Sequence, residues 1–274
     1  MSIPEECKRL RDAITDPSLK VQLEGLWQSA MEKVQEFQKG TSGQGIYHCL
    51  RVESNIWSFI HEDIKKFRPI DLFLLSASAA LHDIGKINGV DVNENHGLIS
   101  SKRLLKDDNW KEFFPDKMKA QAVGYIISVH GNGDIETLPK EFVLGNPPGV
   151  LLRSLASIFR LADMLDTDFR RCPYLVKSFK NLKFSKEIEV WVARSSIAGW
   201  SLSSDGQTIF LHFSGDGEET RIAALAYVDI LNDSLTESQK KWLENCPVRF
   251  WHENQLVEDT LHFPIHFALV EIKK

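Results

Sequence analysis

At 274 residues, 43% of them hydrophobic and 26% charged, the chain has the composition of a packed globular protein with room for one large domain or two modest ones. Disorder, collagen and coiled coil are excluded as descriptions of the whole. A formal net charge of -5 gives no general attraction to a phosphate backbone, which makes nucleic acid a minor alternative among partners.

Cys7, Cys49, Cys172 and Cys246 form no CxxC pair, so they predict reduced thiols and a cytoplasmic protein, not a disulfide framework or a zinc ribbon. The opening MSIPEECKRL places Glu5, Glu6, Lys8 and Arg9 where a signal peptide would need an apolar run. The longest apolar stretch, near Leu72 to Leu81, is broken by His82 and Asp83, so no membrane segment is predicted.

Leu23, Leu26, Trp27, Ala30, Met31, Val34 and Phe37 recur at helical spacing and predict a helix over 17–39, broken by TSGQG. A second helix is predicted over 46–67, with Val52, Ile56, Phe59, Ile60 and Ile64 inward. A third, over 70–82, is apolar nearly all round and should be the central, buried one. After a polar loop over 88–95, helices are expected over 97–106, 116–130 and 149–170, the last entered through GNPPG.

Beyond Cys172-Pro173 the pattern changes. Ile188, Val190 and Val192 alternate with Glu187, Glu189 and Trp191, and Ile209, Leu211 and Phe213 alternate similarly, predicting two strands with Ser204-Asp205-Gly206 as the turn between them. A helix from about Glu218, a second capped by Thr236 with Gln239 three residues on, and two strands near 248–252 and 261–272 complete the chain. The expected class is α+β, with a mainly α-helical domain over 1–173 and a smaller α+β portion over 174–274.

Several ionisable residues fall on or beside apolar helix faces, where burial without a partner costs several kcal/mol. His48 lies one turn before Val52, His82 and Asp83 end the third helix in LHDIGK, His130 follows Ile126 by one turn, and Asp163 follows Phe159 by one turn. Imidazoles and carboxylates from separate helices are what a metal ion reconciles. His48, His82, Asp83 and Asp163 form the expected first shell, and His96 with His130 can hold a second ion bridged through Asp83. Such ligands suit Mn, Fe, Mg, Zn, Ni or Co without choosing among them.

The order His48, His82-Asp83, Asp163 resembles the H…HD…D signature of the HD phosphohydrolase superfamily over roughly 46–171. LHDIGK, His96, His130 and RLADMLD (160–166) are similar to members with additional histidines, including HD-GYP phosphodiesterases and HD-CE-type proteins, although the GYP motif is absent. The resemblance implies an HD-type helical domain and hydrolysis of a phosphate ester or anhydride by metal-activated water. Asp83 and Lys86 are the expected catalytic residues. Lys86, Arg51 and Arg160 are expected to contact substrate, with Asp134 and Arg153 as weaker candidates and Asp166 or Asp168 orienting ligands.

Ordinary roles compete for some of these positions. His96 can be a capping or surface residue, Lys86 a cation favoured at a helix end, and Arg51 half of a surface ion pair. His61, His212, His252, His262 and His266 are expected in strands or on the surface, and Trp27, Trp57 and Trp242 in packing. The expected partner is a small phosphorylated substrate, a nucleotide foremost, with a homodimer as a further expectation. The alternatives are an HD-type nuclease on single-stranded nucleic acid and a non-catalytic signalling or scaffold module.

Overall fold

The computed structural model describes residues 9–37, 45–85, 96–131, 133–145, 147–166 and 186–272. Helices form where the spacing predicts them: α1 (Pro17–Phe37), α2 (Ile46–Ile60), α3 (Pro69–Leu81), α4 (His96–Leu105), α5 (Lys117–Ser128) and α6 (Leu152–Met164). α2 is shorter than expected, because it ends at His61 and the chain makes a separate 3-10 turn, Ile64–Lys66. Pro69 then disfavours helical geometry at Arg68 and opens α3, whose Asp71 accepts a hydrogen bond from the Arg68 backbone N–H at 3.1 Å.

Every residue of α3 from Asp71 to Leu81 is buried, and the helix packs against α1, α2, α5 and α6. An all-round apolar helix is stable only when so enclosed. A polar network inside this core ties α2 to α3. Ser76 Oγ donates to Glu53 at 2.5 Å, Trp27 Nε1 donates to Ser76 Oγ at 2.9 Å, and the Arg11 guanidinium lies 3.4 Å from Glu53. Burial raises the Glu53 carboxyl above its ordinary pKa, with Arg11 pulling it back.

Residues 188–192 are helical and not a strand, within α7 (Lys186–Ser195). So short an alternation cannot separate a period of two from one of 3.6. Contact with the next helix decides: Ala193 is buried, and Arg194 Nε donates to the Tyr227 hydroxyl at 2.9 Å. The strand across the Ser204-Asp205-Gly206 turn is β1 (Ile197–Leu202), which pairs antiparallel with β2 (Thr208–Phe213). α8 (Glu218–Ser234) and α9 (Glu237–Glu244) follow, and the Thr236 side chain caps α9 by accepting from Gln239 N at 3.2 Å.

The last stretch holds three strands where two were expected, β3 (Cys246–His252), β4 (Gln255–Leu261) and β5 (His266–Glu271). β3 and β4 form a hairpin through Glu253 and Asn254, both at positive φ (48° and 63°). That two-residue geometry normally carries glycine, so its sequence gives no turn signal. β5 pairs in parallel with β2 in the order β1-β2-β5.

The expected division at 173–174 lies outside the described residues. The α+β portion packs on the helices through α9 against α6, and through Trp200, whose ring stacks on Phe59 of α2 at 5.3 Å. The architecture is mostly helical with small C-terminal sheets, an α+β fold. Among the described residues no helix is long and apolar enough to cross a membrane.

Candidate metal centre

His48 lies in the first turn of α2, His82 and Asp83 at the end of α3, His96 at the start of α4, His130 just after α5, and Asp163 in the last turn of α6. Folding brings all of them to one place. Three overlapping sets have ligand atoms within 4.8 Å of one another: His48, His82 and Asp83; His82, His130 and Asp163; and Asp83, His96 and His130. Asp83 faces both sides. Its Oδ2 is 3.7 Å from His48 Nε2 and 3.5 Å from His82 Nε2, while Oδ1 is 3.8 Å from His96 Nε2 and 3.6 Å from His130 Nε2. Asp163 Oδ1 closes the first side at 3.1 Å from His48 Nε2 and 3.6 Å from His82 Nε2.

Helix ends set the imidazole tautomers, because the last carbonyls of a helix have no partner within it. His82 Nδ1 donates to the Ala79 carbonyl at 3.0 Å and His130 Nδ1 to the Ile127 carbonyl at 2.7 Å. Carbonyls only accept, so each Nδ1 carries a proton, and in the neutral imidazole it is Nε2 that presents the lone pair. His48 reaches the same state through Asp166, to which its Nδ1 donates at 2.5 Å. Arg51 holds Asp166 in turn, from Nε at 2.5 Å and Nη2 at 3.1 Å.

With both rings neutral, His48 Nε2 and His82 Nε2 face each other at 2.9 Å as two lone pairs, and the carboxylates add only more acceptors. His130 Nε2 and Asp163 Oδ1 are buried without a hydrogen bond from any described residue. Acceptors that converge in this way call for a cation between them. The spacing fits one: with bonds of about 2.1 Å, neighbouring ligand atoms stand about 3.0 Å apart in octahedral geometry and about 3.4 Å apart in tetrahedral geometry. These buried groups are close enough to hold a metal ion.

Protonation suits that role. Burial outweighs the two carboxylates and takes the His82 imidazole down to about 4, keeping it neutral at ordinary pH. Neutral imidazole and ionised carboxylate are the forms that bind metal.

Two glycines make the approach of α4 possible. A Cβ on Gly97 would meet the Ile127 carbonyl oxygen at 2.3 Å and His130 Nδ1 at 2.5 Å, and one on Gly85 would meet Ser100 N at 2.6 Å. Without side chains there, the His96 and His130 rings come to 4.3 Å between centroids. Phe159 lines the inner wall, 5.5 Å from the His82 ring and 6.0 Å from that of His130. The side chains of His96 and Asp163 are 25% and 18% exposed, against 2% or less for His48, His82, Asp83 and His130, so the cluster opens to solvent on the side of those two.

Of the residues expected to contact substrate, Lys86 lies outside the described residues, as does Asp168. Arg51 lies against Asp166, beside the centre. Arg160 directs its terminal nitrogens to the carbonyls of Gly133 and Ser234. Asp134 caps the turn that follows His130 by accepting from Glu136 N, and Arg153 binds Glu136 and the Leu138 carbonyl. The carbonyls of Ala79 and Ile127 have a faint signal in the sequence, a histidine placed just past an apolar helix end.

No family model matches the chain, and comparison with curated proteins finds no match.

Proposed function

We propose that this chain is a metal-dependent phosphohydrolase of the HD superfamily, acting on a phosphate ester or anhydride of a nucleotide or another small phosphorylated molecule. One observation carries the reading: Asp83 presents one carboxylate oxygen to His48 and His82 and the other to His96 and His130. A shared carboxylate supports two ions, and the H…HD…D order of the ligands supports the family. The mixed donor set suits Mn, Fe, Mg, Zn, Ni or Co. Among the described residues Cys49 and Cys246 are buried cysteines outside any disulfide, which supports a reducing, cytoplasmic setting.

When bound there, a divalent ion supplies Lewis acidity towards phosphoryl oxygens and brings water closer to ionisation at neutral pH. The protein does the rest by placement. Asp166 and the carbonyls of Ala79 and Ile127 hold three imidazoles in the ligating tautomer, and Phe159 keeps the inner wall apolar. Lys86, four residues after His82 in sequence, is the proposed counter-charge for the phosphate oxygens, with Arg51 beside the centre as a second. In the overall reaction a water oxygen joins phosphorus, the bond from phosphorus to the leaving oxygen breaks, and that oxygen takes up a proton.

The test is metal analysis of the purified chain followed by a phosphate-release screen over nucleotides and simple esters with Mn²⁺. Turnover is expected, abolished together with metal in Asp83→Ala, and lowered with metal retained in Lys86→Ala. A chain that binds metal yet turns over no class of phosphate compound is a ligand-binding or structural module instead.

A further inference from the structure

Arg160 stands on α6 one turn before Asp163, and only 3% of it is exposed. Its terminal nitrogens donate in two directions, Nη1 to the Gly133 carbonyl at 2.9 Å and Nη2 to the Ser234 carbonyl at 3.0 Å. Gly133 is in the segment leaving His130, and Ser234 is the last residue of α8 in the α+β portion. A helix end offers unbonded carbonyls and favours a cation, so the end of α8 is a natural seat for a guanidinium. Burial lowers the Arg160 pKa to about 10, with Asp163 and Asp134 raising it, so the group keeps its charge at neutral pH.

A second tie runs in parallel. Trp242 of α9 donates from Nε1 to Glu136 at 2.8 Å, and Arg153 of α6 pairs with the same carboxylate. The segment 133–138, which follows His130, is thus held between α6 and the α+β portion at both ends. Two planar donors in fixed directions are what a lysine or an amide at position 160 cannot supply.

We infer that Arg160 is a positioning residue: by clamping 133–138 between α6 and the end of α8, with Trp242 as the second tie, it lets the α+β portion set how tightly the His130 side of the centre holds its ion. This rests on the metal-centre reading proposed above. It differs from a substrate contact, because it predicts an effect on metal binding with no substrate present.

The experiment titrates the full chain with Mn²⁺ alone, following affinity and stoichiometry by calorimetry and the coupling of neighbouring ions by electron paramagnetic resonance. In Arg160→Gln one class of Mn²⁺ sites is expected to weaken about tenfold, with Arg160→Lys recovering part of the loss. If the folded Gln variant binds Mn²⁺ as the wild type does, the inference is overturned, whether stability falls or only KM rises. Should Arg160→Gln not fold, Trp242→Phe removes the second tie, and a weakened class of sites supports the coupling while unchanged binding rejects it. A wild-type chain that takes up no Mn²⁺ overturns the metal reading itself, a result distinct from both.

Discussion

At the scale of single residues, three of the imidazoles of the centre, His48, His82 and His130, are aimed at it by a hydrogen bond on the opposite side of the ring. His82 shows the cost of that arrangement in the metal-free protein. Its ordinary pKa of 6.5 falls to about 4 in the fold, so between those values the unfolded chain holds one proton more than the folded one. His82 therefore contributes stability above 6.5 that is lost as the pH falls towards 4. Urea unfolding of chelator-treated protein should show stability rising with pH over this window, with a smaller slope in His82→Asn. An equal slope in the variant would exclude the imidazole as the cause.

The elements follow their apolar spacing wherever the run is long. α1 and α3 through α6 were legible because a wide apolar stripe at helical period has one economical solution. α7 was not, because a short alternation fits both periods and contact with α8 decides. Nor were β4 and its turn, because Glu253 and Asn254 take a glycine geometry without containing glycine. The polar network at the heart of α2 and α3 was invisible too, since Arg11 and Glu53 are distant in sequence and charged residues normally read as surface. A buried pair of this kind is costly to break and cheap to replace. Glu53→Leu alone, which leaves Arg11 buried without its carboxylate, should destabilise by about 3 to 5 kcal/mol, and the double variant Arg11→Met/Glu53→Leu should lie closer to wild type. Chemical denaturation of the two singles and the double checks this, and simple additivity would show that the pair is not coupled.

At the scale of the whole molecule, the centre draws on α2, α3, α4, α5 and α6 at once, so an ion bound there would cross-link the folded state alone. Mn²⁺ at a hundred times its Kd should stabilise the chain by about 2.7 kcal/mol, read as a Tm rise of a few degrees. Asp83→Ala should show no such rise. An equal shift in that variant would place the stabilising ion elsewhere.

From the sequence alone one could read the α+β class, most of the helices, and the six residues that converge on the centre, five because histidine and aspartate at apolar helix positions are costly unless they serve something, and His96 through the resemblance of the motif order. Which hydrogen bonds orient those rings, that Asp83 divides its oxygens between two histidine pairs, and that Arg160 reaches from α6 to the end of α8 were decided only in three dimensions. Burial cost is a local property that a sequence displays, whereas the direction of a lone pair depends on partners brought in from elsewhere along the chain.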